Sequence, residues 1–187
     1  MKLKFDKINS AKTVALVGIM AATLECGKLV LSFLPNIEVV TLLTAVYGYV
    51  FGWLGVAAAV VFVLIEPLVW GFGSWFITYI LYWPFVAFVF MIFRKKNISG
   101  RLIPTVAAAG LTILFGVVSS VIDSAFYLGI NESYIKNLVI YYIRGISFYI
   151  VQIICNITLF LTLYPYLSNK IASIWGKNQS ERIKTLM

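Results

Sequence analysis

Apolar residues in this chain gather into six long blocks, at 11–34, 39–51, 56–70, 75–93, 102–128 and 135–167. Within a block they are continuous, without the strict alternation of a half-buried strand or a barrel strand. A helix that crosses the hydrocarbon layer needs about 20 mostly apolar residues, so the pattern predicts six transmembrane helices. The breaks between blocks carry turn chemistry. Pro35-Asn36 closes the first, because a residue before proline is pushed out of the helical region. Gly52-Trp53-Leu54-Gly55 and Gly71-Phe72-Gly73-Ser74 make the next tight links. Arg94-Lys95-Lys96-Asn97-Ile98-Ser99-Gly100-Arg101 forms a basic loop, Gly129-Ile130-Asn131-Glu132-Ser133 a polar one, and 168–187 a polar, basic tail. The expected fold is an all-α membrane bundle of six helices forming one domain over 1–187. The sixth block is long enough to tilt in the bilayer or project from it.

Composition strengthens this picture. The chain is 61% hydrophobic and 12% charged over 187 residues, against roughly half apolar and about a quarter charged for a soluble domain. A net charge of +8 would suggest nucleic acid in a soluble protein. Here the cations cluster between apolar blocks: Lys2, Lys4, Lys7 and Lys12; Arg94, Lys95, Lys96 and Arg101; Lys170, Lys177, Arg182 and Lys184. With six spans all three clusters fall on one side, and the positive-inside rule makes that side the cytoplasm. Both termini are therefore expected to be cytoplasmic, with no nucleic-acid partner. The first block runs past the short apolar region of a cleaved signal, so the first helix is expected to be retained. Five of the seven acids, Glu25, Glu38, Glu66, Asp123 and Glu132, fall toward the opposite side. There is no histidine, which removes His-based triads and two-His metal sites. Cys26 and Cys155 match no metal or redox spacing and read as small apolar residues. Neither metal nor cofactor is expected.

Several constellations remain as candidates. Ala11, Ala15, Gly18 and Ala22 step by four, three and four residues, which puts them on one helix face. Such a face lets two helix backbones approach closely in lipid, either within the chain or against another membrane protein. Glu25 and Lys28 lie one turn apart inside a span, where charges usually face a cavity or a partner; an i,i+3 ion pair is the simpler alternative. Asn36 and Glu38 stand where they could cap the second helix or touch a ligand. Glu66, Trp70, Trp75 and Tyr79 surround the glycine-rich third link. Their indoles and phenol offer faces for a planar ligand, or form an interfacial aromatic belt. Asp123, Tyr127, Arg144 and Asn156 lie on the last two spans. Arg144 is placed to pair with Asp123 or Glu66, or to bind an anionic group.

Taken together, the small-residue stripe, the segment Leu34-Pro35-Asn36-Ile37-Glu38-Val39-Val40-Thr41-Leu42-Leu43-Thr44, the run Gly48-Tyr49-Val50-Phe51-Gly52-Trp53-Leu54-Gly55 and the link Gly71-Phe72-Gly73-Ser74-Trp75 give the chain a family likeness. It resembles the S components of energy-coupling-factor (ECF) transporters, which capture vitamins and related micronutrients in prokaryotes. The resemblance covers nearly the whole chain. It implies a multi-pass protein of the prokaryotic cell membrane. The face Ala11, Ala15, Gly18 and Ala22 would dock on a transmembrane coupling subunit, and two separate cytoplasmic ATPases would supply the energy. A vitamin-like ligand would bind on the outer side, with Glu25, Lys28, Asn36, Glu38, Glu66, Trp70, Trp75, Tyr79, Asp123, Tyr127, Arg144 and Asn156 as candidate contacts. The sequence itself has no phosphate-binding G-x-x-x-x-G-K-[ST] loop.

Two other readings compete with capture. A stand-alone carrier or channel would favour a continuous polar path or a ring of like charges, whereas the polar residues here crowd one half of the spans. A membrane-embedded enzyme would need a His, a Ser–His pair or an Asp pair, and no such set stands out. The expected function is therefore non-enzymatic capture. Cobalamin-like, flavin-like, thiamine-related and deazapurine ligands all remain open.

Overall fold

The computed structural model describes residues 11–185, and side chains within 11–176. Lys2, Lys4 and Lys7 of the first basic cluster lie outside the described residues. The described residues form seven helices and no strand: α1 (Ala11–Leu31), α2 (Val40–Phe51), α3 (Trp53–Trp70), α4 (Ser74–Lys95), α5 (Leu102–Leu128), α6 (Tyr134–Thr162) and α7 (Tyr164–Thr185). Five of them, α1, α3, α4, α5 and α6, are long and apolar enough to cross a membrane. The exposed surface is in keeping: Leu68, Phe72, Leu102, Val106 and Ile130 are all largely exposed. An apolar surface this extensive marks contact with lipid or protein rather than water.

α2 is the hub. It contacts α1, α3, α4, α6 and α7, and almost every residue from Val40 to Val50 is buried. Its 12 residues rise only about 18 Å, so it is short for a spanning helix and is enclosed by its neighbours. Glycines permit that enclosure. A Cβ on Gly48 would come to 2.0 Å from the Ala87 carbonyl oxygen of α4, and one on Gly55 to 2.3 Å from that of Tyr47. These backbones approach as closely as small residues in membrane bundles allow.

Helix ends differ from the sequence expectation where local chemistry intervenes. α1 stops at Leu31 rather than 34. Beyond it the chain turns through Leu34 N–H to Leu31 O (2.9 Å) and Ile37 N–H to Leu34 O (3.3 Å), as Pro35 requires. The link after α2 is one residue, not four: Gly52 alone takes a left-handed φ of +62°, and α3 starts at once. The long sixth block divides at Leu163. Pro165 lacks a backbone N–H and fits only near a helix start, so a new helix begins at Tyr164. α7 then takes in most of the polar, basic tail at 168–187, which carries no apolar block of its own. Tyr164, Leu167, Ser168, Ile171 and Trp175 recur at helical spacing and face the bundle. The Trp175 ring meets Phe51 at 5.1 Å, and Tyr164 stacks on Phe160 at 5.1 Å.

Consecutive helices α1 to α6 touch and are joined by short links, which makes neighbours antiparallel. The termini Leu31, Val40, Trp70, Ser74, Leu128 and Tyr134 therefore share one end. Glu25, Glu38, Glu66, Asp123 and Glu132 lie toward it. The opposite end carries Lys12, Arg94, Lys95, Lys96, Arg101 and Lys170. Between them lies an aromatic and aliphatic core that includes Val46, Phe62, Val63, Val86, Phe90 and Phe160.

Candidate functional site

At the acidic end α1 and α3 pack together and bring Lys28 to Glu66. The ammonium pairs with Oε2 of a carboxylate that is fully buried. Glu66 sits immediately before Pro67, one turn from the end of α3. Three rings surround the same ammonium. Lys28 Nζ lies 5.2 Å from the centroid of Trp70, 5.7 Å from Trp75 and 4.9 Å from Tyr79, all within cation–π range. Trp70 ends α3, while Trp75 and Tyr79 lie one turn apart on the first turns of α4. The link between the helices fits them together: Gly71 has φ +75°, and a Cβ on Gly73 would come to 2.8 Å from the Trp75 indole. Trp75 and Tyr79 pack edge to face at 5.2 Å, and Tyr79 meets Trp83 at 5.6 Å. The rings therefore form a continuous stack around the ammonium, with Trp70 about half exposed.

Glu25, one turn before Lys28, is 8% exposed and interacts with Glu66. Apart from that contact, neither of its carboxylate oxygens has a hydrogen-bond partner among the described residues, nor does Oε1 of Glu66. The i,i+3 pairing of Glu25 with Lys28 suggested by their spacing is not formed: among the described residues the only ion pair is Lys28–Glu66. Two buried carboxylates thus stand beside one ammonium, which pairs with only one of them.

A second polar cluster lies alongside. Glu38 precedes α2 and accepts hydrogen bonds from the Thr41 N–H (2.8 Å) and the Thr41 hydroxyl (2.5 Å). A carboxylate there satisfies free amides at the helix N-terminus and meets the positive end of its dipole. Asn156, fully buried on α6, donates to Glu38 Oε1 (3.0 Å) and to Thr112 Oγ1 on α5 (3.0 Å). Cys155 Sγ donates to the Glu38 carbonyl at 3.5 Å. Tyr82, Trp83 and Gln152 are buried nearby, with the Trp83 ring N–H and Gln152 Oε1 unpartnered among the described residues. Tyr79 bridges the two clusters, within electrostatic reach of Glu66, Glu38 and Glu25.

The other expected residues are placed differently. Asp123 accepts from the Ser74 hydroxyl at 2.5 Å and the Ser119 hydroxyl at 3.3 Å, which ties α5 to the start of α4. Arg144 is exposed and pairs with neither Asp123 nor Glu66; those carboxylates take hydroxyls and Lys28 instead. Tyr127 is exposed, its ring edge-on to Phe126 at 5.2 Å. Asn36 takes a left-handed φ of 60° in the loop after α1, a conformation asparagine tolerates well, and the helix cap comes from Glu38 alone. Among the described residues no three His, Cys, Asp or Glu side chains converge as a metal site would require.

Thr41, Ser74 and Thr112 are not among the candidate contacts of the sequence analysis, and Cys155 reads there only as a small apolar residue. A threonine in an apolar span is a weak signal, because its hydroxyl can bond back to its own helix, as Thr112 does to Ala108 at 2.9 Å. Only the meeting of α5 with α6 shows that the same hydroxyl also receives Asn156.

The small-residue stripe has one clear feature. Ala11, Ala15, Gly18 and Ala22 are all exposed, and a Cβ on Gly18 would meet nothing within 4 Å. The opposite face of α1, with Met20, Ala21 and Leu24, is the one that packs into the bundle. Among the described residues the stripe does not pack inside the chain. Compared with family models, with curated proteins and with solved structures, the chain matches none.

Proposed function

We propose that this protein is the substrate-capturing membrane subunit of an ECF-type importer, binding a vitamin or related micronutrient at its acidic, aromatic end. The observation that carries the proposal is the one-sided distribution of buried polarity. Lys28, Glu25, Glu66, Glu38 and Asn156 all lie toward one end. Toward the other, the interior is filled by Tyr49, Phe90, Phe160 and Tyr164. That layout suits a protein that holds a ligand and does not by itself conduct it. The exposed small-residue face of α1 offers a dry, close-packing surface to a coupling subunit, and no ATP chemistry is assigned to the chain itself. Two cytoplasmic ATPases would act through that subunit.

In this proposal the enclosed α2 counts as the sixth membrane segment, its backbone shielded from lipid by the helices around it. The basic end faces the cytoplasm with both termini, following the positive-inside rule, and the aromatic cage faces outward in the plasma membrane of a prokaryote. The test is reconstitution of the chain alone in liposomes with a panel of labelled vitamins. Capture predicts binding of one class without net flux. Sustained flux with no partner present would instead make the protein a stand-alone carrier or channel.

A further inference from the structure

We propose that the capture site takes an organic cation carrying a planar ring, and that Lys28 occupies the site as a built-in stand-in which such a cation displaces. The inference rests on the capture reading and adds the chemical class of the ligand. Three observations lead to it, each independent of the family likeness.

The first is the cage. Trp70, Trp75 and Tyr79 hold one ammonium within 4.9 to 5.7 Å of their ring centroids. Aromatic faces converging on one point are the arrangement that recognises ammonium and other organic cations. The second is the imbalance of charge. Glu25 and Glu66 are both more than nine-tenths buried and their carboxyl groups adjoin each other, while three of their four oxygens meet no donor from any other residue. A buried carboxylate without a partner is costly, and a single lysine cannot satisfy two. Either a proton or a second cation completes the set. The third is access. Lys28 is partly exposed while Glu66 is not, and Trp70 beside it is about half exposed. A lysine ammonium on a flexible four-carbon stem can swing outward and keep its charge in water. A cationic ring entering past Trp70 would then find the aromatic faces and both carboxylates already arranged, and Lys28 would give up the position it holds.

The stand-in role has a consequence opposite in sign to a contact role. Removing a lysine that touches the ligand weakens binding. Removing one that competes with the ligand, and whose charge repels it, strengthens binding.

The test is a binding panel sorted by charge, measured on the full chain in detergent at neutral pH. The cations are thiamine and 1-methylnicotinamide, the neutral rings nicotinamide and riboflavin, and the anions nicotinate and biotin. A cationic member binds most tightly if the proposal holds. Lys28→Met tightens that cation roughly tenfold, and Glu25→Gln, which leaves the Lys28–Glu66 pair in place, weakens it roughly tenfold. Should Lys28→Met fail to fold, Glu25→Gln decides alone, with unchanged cation affinity counting against the proposal. Tightest binding of a neutral or anionic member would overturn the cation assignment, meaning a proton completes the carboxylate pair, while leaving capture intact. Looser cation binding by a folded Lys28→Met variant would overturn the stand-in role. No binding by any member would overturn the cation assignment, while capture itself is decided by the wider vitamin panel that includes cobalamin and deazapurines.

Discussion

Asn156 donates a 3.0 Å hydrogen bond to Glu38, 118 residues earlier in the chain, and the same amide nitrogen reaches Thr112 at 3.0 Å. One side chain thus joins α6, α5 and the start of α2, and holds the carboxylate that caps α2. Replacing Asn156 by Leu removes both bonds and is expected to cost about 1 kcal/mol or more, the scale of interhelical hydrogen bonds in lipid. Asn156→Asp should cost more, because it sets a second carboxylate against Glu38. Thermal unfolding in detergent measures both, and equal midpoints for Asp and Leu would contradict the bond as described.

Two glycines predict opposite outcomes for the same substitution. Gly48→Ala drives a methyl against the Ala87 backbone, 2.0 Å from its carbonyl oxygen. It should destabilise the bundle by about 1–3 kcal/mol or more, the usual cost of overpacking. Gly18→Ala meets open space and should stay within about 0.5 kcal/mol of the parent. Expression and thermal midpoint of the two variants, measured side by side, check the contrast.

The exposed face of α1 makes a functional prediction. Ala15→Trp combined with Gly18→Trp adds bulk to a face that is exposed among the described residues. Ligand binding by the purified variant should equal that of the parent, while uptake in cells carrying the coupling module should be lost. Unchanged uptake would remove the docking role from this face.

α7 is held by the edge contact of Trp175 with Phe51 at 5.1 Å and by buried Tyr164. Trp175→Ala gives up an aromatic pair worth about 1 kcal/mol beyond its area. Limited proteolysis should then cut within α7 more readily than in the parent. Identical cleavage would show that α7 docks by other contacts.

The sequence made the spacing of the helices legible because lipid demands long apolar runs and Gly and Pro punctuate them. It also picked out Lys28, Glu66, Trp70, Trp75 and Tyr79, since intramembrane charges beside aromatic residues are rare enough to stand out. Which groups pair was not legible. The spacing of Glu25 and Lys28 points to a local ion pair, yet packing of α1 on α3 gives Lys28 to Glu66. Arg144 looks like a partner for Asp123, yet Ser74 and Ser119 hold Asp123 and Arg144 stays exposed. Both outcomes depend on the rotation of helices about their axes, which no local pattern fixes. α7 was overlooked for a different reason. Its lysines dilute the hydropathy of 168–187 and hide the face that Tyr164, Ile171 and Trp175 present at helical spacing.

The capture proposal is tested most directly by tryptophan fluorescence of the isolated chain titrated with a vitamin panel. Trp70 and Trp75 stand in the cage and should report its occupation. The proposal predicts that one member quenches the emission with a dissociation constant of about 1 μM or tighter, with no partner subunit present. The quench should disappear in the Trp70→Phe, Trp75→Phe double variant. Emission unchanged across the whole panel, in protein that remains folded and monodisperse, would contradict capture at this site.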